Sequence, residues 1–145
     1  MGFSAEVSIS MADGTSKTIN NVRVGEYILN KHGKPVRVNA NYKQVGEDCV
    51  SFEVDGDATT LYCTPDQKFL AYCTHTAGNM MCDYLTLADM DECGAVFKNS
   101  KMIFSTTNNV AVNNYNASTT SKDVWSIDIS GRTKSFIVNT VIAVE

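Results

Sequence analysis

Gly2-Phe3-Ser4-Ala5-Glu6-Val7-Ser8-Ile9-Ser10-Met11-Ala12-Asp13-Gly14 opens the chain, and its reading decides the fold. Val7, Ile9 and Met11 alternate with small polar residues, which puts them on one face of a strand. Asp13-Gly14 follows at once, and glycine accepts the positive φ of a tight hairpin turn. The same grammar repeats along the chain. Strands are expected at Tyr27–Leu29, Val36–Tyr42, Val50–Val54, Thr59–Cys63, Lys68–Tyr72, Lys101–Ser105, Val124–Ile129 and Phe136–Val144, with turns at His32-Gly33 and Asp55-Gly56. Helical stripes are nearly absent; Leu85–Met90 predicts one short helix. The fold class is all-β.

With 145 residues, 43% of them hydrophobic, the chain suffices for one well-buried core, so residues 1–145 read as a single domain and a monomer. The formal net charge is −4 and the twelve Lys and Arg are scattered, which argues against a phosphate-binding stripe and hence against nucleic acid. No apolar run approaches the roughly 20 residues needed to span a bilayer, and the acidic start around Glu6 is not a signal peptide, so no membrane partner is expected. The expectation is a soluble, intracellular protein.

The tract 106–122 is dominated by Asn, Thr and Ser, with only Val110, Val112 and Tyr115 as anchors, and reads as a polar surface loop. The five cysteines show no short paired spacing. Cys73, His75, Cys82 and Cys93 bring soft ligand types into one span, but structural zinc usually takes C-x₂₋₄-C pairs and these gaps are long and irregular. The expectation is reduced, half-buried or buried thiols, with no metal and no organic cofactor.

Four segments, in order, resemble the Hint family of inteins, intein-like domains and hedgehog autoprocessing domains. The first is Phe3-Ser4-Ala5-Glu6-Val7 through Val22-Arg23-Val24-Gly25-Glu26-Tyr27-Ile28-Leu29. The second is Tyr62-Cys63-Thr64-Pro65-Asp66-Gln67-Lys68-Phe69-Leu70, at the place of the family's T-x-x-H motif. The last two are Val124-Trp125-Ser126-Ile127-Asp128-Ile129 and Ser135-Phe136-Ile137-Val138-Asn139 running on to Glu145. The resemblance spans nearly the whole chain. It implies a flattened β horseshoe of pseudo-two-fold character, with adjacent chain ends and the polar tract where larger relatives carry an endonuclease. The activity it implies is protein splicing, self-excision with ligation of the flanking exteins, and the partners are those exteins. In a version split in two, the partner would be a complementary fragment, with the break in 106–122 or in a turn such as Asp13–Lys17.

By the same resemblance the reactive positions are Gly2, Thr64, Asp66, Gln67, Ser126, Lys134, Val144 and Glu145, and several carry the wrong chemistry. Gly2 stands at the place of the nucleophilic Cys or Ser and has no side chain with which to attack. Gln67 stands at the histidine of T-x-x-H; it can hydrogen-bond but cannot titrate. Thr64 matches the motif and would help polarise the scissile carbonyl. A threonine or an aspartate at a turn, such as Asp66, is also explained by local hydrogen bonding alone. Ser126 and Lys134 fall near positions where relatives carry an Asp and a His. Val144 and Glu145 fall at the closing His-Asn; a carboxylate lacks the amide nitrogen that closes the imide. A chain ending one residue short of the Asn is the alternative register.

His75, eight residues beyond Gln67, is a weaker candidate for the missing acid. The turns and apolar alternation remain intact, which favours replacement at the reactive positions over decay of the whole domain. The sequence thus points to a splicing domain inactivated at its terminal positions. The alternatives are a domain that cleaves without ligating, or a non-catalytic β-rich binding module.

Overall fold

The computed structural model describes residues 1–76, 79–100, 109–132 and 134–145, with backbone only for 74–76 and 79–82. The expected strand Lys101–Ser105 and the first residues of the expected loop lie outside the described residues.

The strands are β1 (Ser8–Ser10), β2 (Ser16–Thr18), β3 (Tyr27–Leu29), β4 (Pro35–Val54), β5 (Leu61–Cys63), β6 (Lys68–Thr76), β7 (Asn79–Thr86), β8 (Val96–Lys98), β9 (Asn109–Val110), β10 (Val112–Ile129), β11 (Ser135–Val138) and β12 (Val141–Val144). Among the described residues a single α-helix, α1 (Leu87–Cys93), lies between β7 and β8. One sheet runs β2-β1-β11-β12-β6-β8-β9 with β7 also on β6; the other runs β10-β4-β3 with β5 on β4. All the strand pairs are antiparallel. In the first sheet the segment from the chain's beginning lies directly beside the segment from its end, Ile9 opposite Val138. Among the described residues no helix is long and apolar enough to cross a membrane.

Four sequence expectations are corrected. The stretches 36–42 and 50–54 are one strand, β4, whose middle is too polar to show alternation because it is exposed. Its partner β10 takes in residues 112–122, which were expected as a surface loop. Here the ladder itself orders the backbone, with Thr120 opposite Cys49 and Lys122 opposite Glu47, so no apolar face is required. Asn113 and Asn114 add side-chain bonds to Asp55 (2.9 Å) and Glu53 (2.8 Å). Gly46, at φ +69°, lets β4 pass a register shift in this ribbon, and its N–H donates to the Asp123 carboxylate at 3.2 Å.

The short helix forms two residues later than expected, because Leu85 and Thr86 stay paired to β6. The Thr86 hydroxyl then accepts the Asp89 N–H as an N-cap (3.3 Å), and Gly94 closes the helix in the left-handed region. The expected strand 136–144 is a hairpin instead. Asn139 and Thr140 both take positive φ at its tip, a conformation a β-branched residue adopts only when held. It is held: Asn139 exchanges bonds with Ser8 (2.9 and 3.0 Å), and Ser100 N–H donates to the Thr140 carbonyl (2.9 Å).

The core that these elements bury is aromatic. Phe3 sits edge-on to Phe69 (5.8 Å between centroids) and Phe136 (6.2 Å), while Phe69 also meets Phe52 (5.5 Å) and Phe97 (5.2 Å). Residues from the first, central and last motifs therefore share one dry cluster, and all five rings are buried. Phe69→Ala is expected to cost about 3–5 kcal/mol, seen as a lowered urea midpoint. A loss below about 1 kcal/mol would contradict a central place for this ring.

Candidate functional site

Phe3 and Trp125 exchange backbone hydrogen bonds in both directions, at 3.1 and 2.8 Å. Ser4 N–H donates to the Tyr62 carbonyl at 3.0 Å, so the first residues lie as a short strand between the ends of β5 and β10. The turn 64–67, between β5 and β6, then meets both chain ends. Thr64 N–H donates to the Gly2 carbonyl at 3.0 Å, and the Gln67 side-chain amide donates to the Val144 carbonyl at 2.7 Å. The turn closes on itself through Gln67 N–H to the Thr64 carbonyl (3.1 Å).

The position of each expected residue follows. Gly2 is buried, and a Cβ there would lie 3.0 Å from Ser126 Oγ, 3.1 Å from the Trp125 carbonyl oxygen and 3.2 Å from Val124 Cβ. The Ser126 hydroxyl occupies the neighbouring space and donates to the Met1 carbonyl, the carbonyl of the bond into Gly2. Thr64 does not point its hydroxyl at that carbonyl; it donates to Asp66 at 2.7 Å. Asp66 in turn receives the Met1 ammonium at 3.4 Å. Burial raises the Asp66 pKa, but the Thr64 hydroxyl and the ammonium together outweigh it, and the net shift is downward.

Gln67, 2% exposed, also donates to the Lys68 carbonyl (3.1 Å). It is a neutral fastener of the Val144 end, and burial of a neutral amide avoids the desolvation that a protonated imidazole would meet here. Lys134 joins the site through its backbone, accepting the Glu145 N–H at 2.7 Å, while its ammonium donates to the Ile129 carbonyl at 2.6 Å. Glu145 accepts the Ile129 N–H at 3.2 Å. Burial pushes the Glu145 carboxyl up, and a hydrogen bond with the Asp128 carboxyl pushes it further.

A cleft of about 250 Å³ lies where the two ends face each other. Met1, Gly2, Val144 and Glu145 form its rim with Gln67 and Ser126; Tyr42, Trp125, Ile127 and Phe136 give it apolar walls. Sequence reading missed Asp128 and Tyr42. Asp128 was accessible to it, since it lies two positions beyond Ser126 and strand alternation puts both on one face. Tyr42, 61% exposed, carries no local signal. Trp125 is half-buried, with its ring beneath the Lys43 ammonium (5.5 Å).

Among the described residues no cysteine lines this cleft. Cys63 is buried against Phe3, and burial pushes its thiol pKa upward; Cys49 rises to about 11 for the same reason. The Cys73 Sγ lies 3.8 Å from the Cys93 carbonyl. His75 and the Cys82 side chain, named above for an acid or a metal site, lie outside the described residues. Among the described residues no cluster of three or more ligand-type side chains could hold a metal ion.

Because the folded state raises the Glu145 pKa above its ordinary 4.5, its contribution to stability is present at low pH and falls as pH rises from about that value through the folded pKa. Glu145→Gln is expected to remove this part of the pH dependence, which chemical denaturation between pH 4 and 8 can measure. An unchanged slope would contradict the half-buried carboxyl pair.

No protein-family model and no curated protein matches the chain. Solved structures do. The crystal structure of the MchDnaB-1 intein superposes with a TM-score of 0.71 at 16% identity, covering 99% of both chains. A bacterial intein-like domain from Clostridium thermocellum gives 0.71 at 15% identity, over 99% of this chain and 98% of that one. A DnaB intein from Synechocystis gives 0.70 at 14% identity, over 99% and 96%. At such identities the likeness establishes architecture, and it does so across essentially the full length: the chain has the Hint fold of intein splicing domains.

Proposed function

We propose that this chain is a splicing-class domain that has kept the apparatus for holding two peptide junctions together and has lost the side chains that react at them. The observation that carries this reading is the turn 64–67: its first residue binds the Gly2 carbonyl and its last binds the Val144 carbonyl. One rigid element thus fixes both ends, as ligation of flanking segments requires. The chemistry at the ends is muted. Gly2 offers no nucleophile, Gln67 no proton at neutral pH, and Glu145 no amide nitrogen for ring closure.

The test restores the three groups, Gly2→Cys, Gln67→His and Glu145→Asn, between short reporter segments, with Cys as the first downstream residue. Ser126→Ala is included in a parallel variant, because a Cβ at position 2 needs the room that Ser126 Oγ now takes. A ligated reporter product by mass spectrometry is the expected result. Cleavage without ligation would instead support an autoprocessing domain, and no reaction in either variant would support a binding module.

One contact favours a second reading at the upstream junction. The Ser126 hydroxyl is hydrogen-bonded to the Met1 carbonyl, so it can stand in for the absent side chain of residue 2. Rotation would bring Oγ onto the carbonyl carbon. The C–N bond to Gly2 would then break, the serine proton would pass to the Gly2 nitrogen, and the acyl group would remain on Oγ as an ester. On this reading, the otherwise unaltered chain bearing an upstream reporter releases it with hydroxylamine, and Ser126→Ala abolishes the release. Equal release from both, or from neither, would leave the silent reading standing.

A further inference from the structure

We infer that the cleft between the chain ends is a receptor for one basic side chain, lysine or arginine, of the polypeptide that flanks the domain. The inference rests on the junction reading above and adds to it a substrate preference.

The size of the cleft favours a side chain. At about 250 Å³ it is smaller than the ~300–1,000 Å³ typical of sites for whole small molecules. The walls suit an aliphatic stem with a cationic head. Tyr42, Trp125 and Phe136 supply apolar and aromatic surface, and Asp128 and Glu145 place two carboxyls beside it. The nearby cations already have partners, although the Lys134 charge also acts on the Glu145 carboxyl, lowering its pKa by less than burial and Asp128 raise it. The Lys134 ammonium is on the Ile129 carbonyl, the Lys43 ammonium pairs with Asp123 (3.7 Å), and the Met1 ammonium lies on Asp66. Among the described residues no ion pair includes Asp128 or Glu145. Gln67 and Ser126, the other polar groups on the rim, are neutral and already donate to Val144 and Met1. Burial and the adjacent Asp128 carboxyl disfavour ionisation of Glu145, and an entering cation would offset both. Glycine at position 2 keeps the mouth open, since it adds no side chain to the rim.

Two consequences follow from the charges. Occupancy should favour the ionised form of Glu145, whose pKa is raised, so binding strengthens as pH rises through it; the other charged groups around the cleft are Asp128, Lys134, Lys43, Asp66 and the Met1 ammonium. Added salt should weaken it.

The chain's only tryptophan, Trp125, lines the cleft and reports occupancy by fluorescence. The intact chain is titrated with N-acetyl-arginine amide and, for comparison, with N-acetyl-norleucine amide, which has the stem without the charge. A saturable change with the arginine probe is expected, at least tenfold weaker with norleucine, strengthening with pH and weakening with salt. Asp128→Asn, nearly isosteric, is expected to weaken it about tenfold. The proposal is overturned if the arginine probe gives no saturable change, if norleucine binds equally, or if pH and salt have no effect. Its failure is separable from that of the junction reading, because binding is read without any bond being cut. Ligation in the restored variant together with no arginine binding would remove only the pocket.

Discussion

The contact on which the structure depends is a backbone one: the first residues of the chain are stitched between Trp125 and Tyr62, and the Gly2 carbonyl is taken by the Thr64 N–H. Backbone bonds of this kind hold whatever the side chains are, provided the strands deliver them. They therefore need no side chain at position 2, where this chain has glycine. Phe3, the next residue, adds the apolar half of the attachment by inserting its ring between Phe69 and Phe136. Chain closure is costly in entropy, and this shared aromatic cluster is where the compensating burial comes from.

A consequence is that architecture and chemistry separate in this molecule. The turn 64–67 has a mechanical role, carried by the Thr64 N–H and the Gln67 amide, and that role needs no ionisable side chain. The Thr64 hydroxyl and Asp66 form a second layer that fixes the segment before Gly2 through the Met1 ammonium. What such a framework can do at its ends depends on a handful of side chains, and those with polar or charged groups at the cleft include Ser126, Asp128 and Glu145.

Much of the fold was legible in the sequence where one face of a strand is buried. Val7, Ile9 and Met11, or Phe136 and Val138, announce themselves because alternation and burial coincide. The ribbon of β4 and β10 was illegible for the opposite reason. Residues 42–46 of β4 and 116–121 of β10 are exposed, so Asn113 to Lys122 show the composition of a loop while making the hydrogen bonds of a sheet. The hairpin tip at Asn139-Thr140 was hidden too, since no glycine marks it and the strain is borne by partners distant in sequence, Ser8 and Ser100. At the site, the motif positions converge as the resemblance implied. Their pairings were not readable: Thr64 turns to Asp66, and Ser126 reaches the Met1 carbonyl, because those choices are made by neighbours from other strands.

The central claim is that the two ends of the chain meet at the turn 64–67 and are held there by hydrogen bonds. Native-state amide exchange tests it residue by residue. The account requires the Thr64 and Trp125 amides to be protected nearly as strongly as the amides of the central sheet, since each donates to the first residues of the chain. Exchange of both at the rate of an unstructured peptide, within a protein whose sheet is otherwise protected, would show that the opening segment is not docked and would contradict the account.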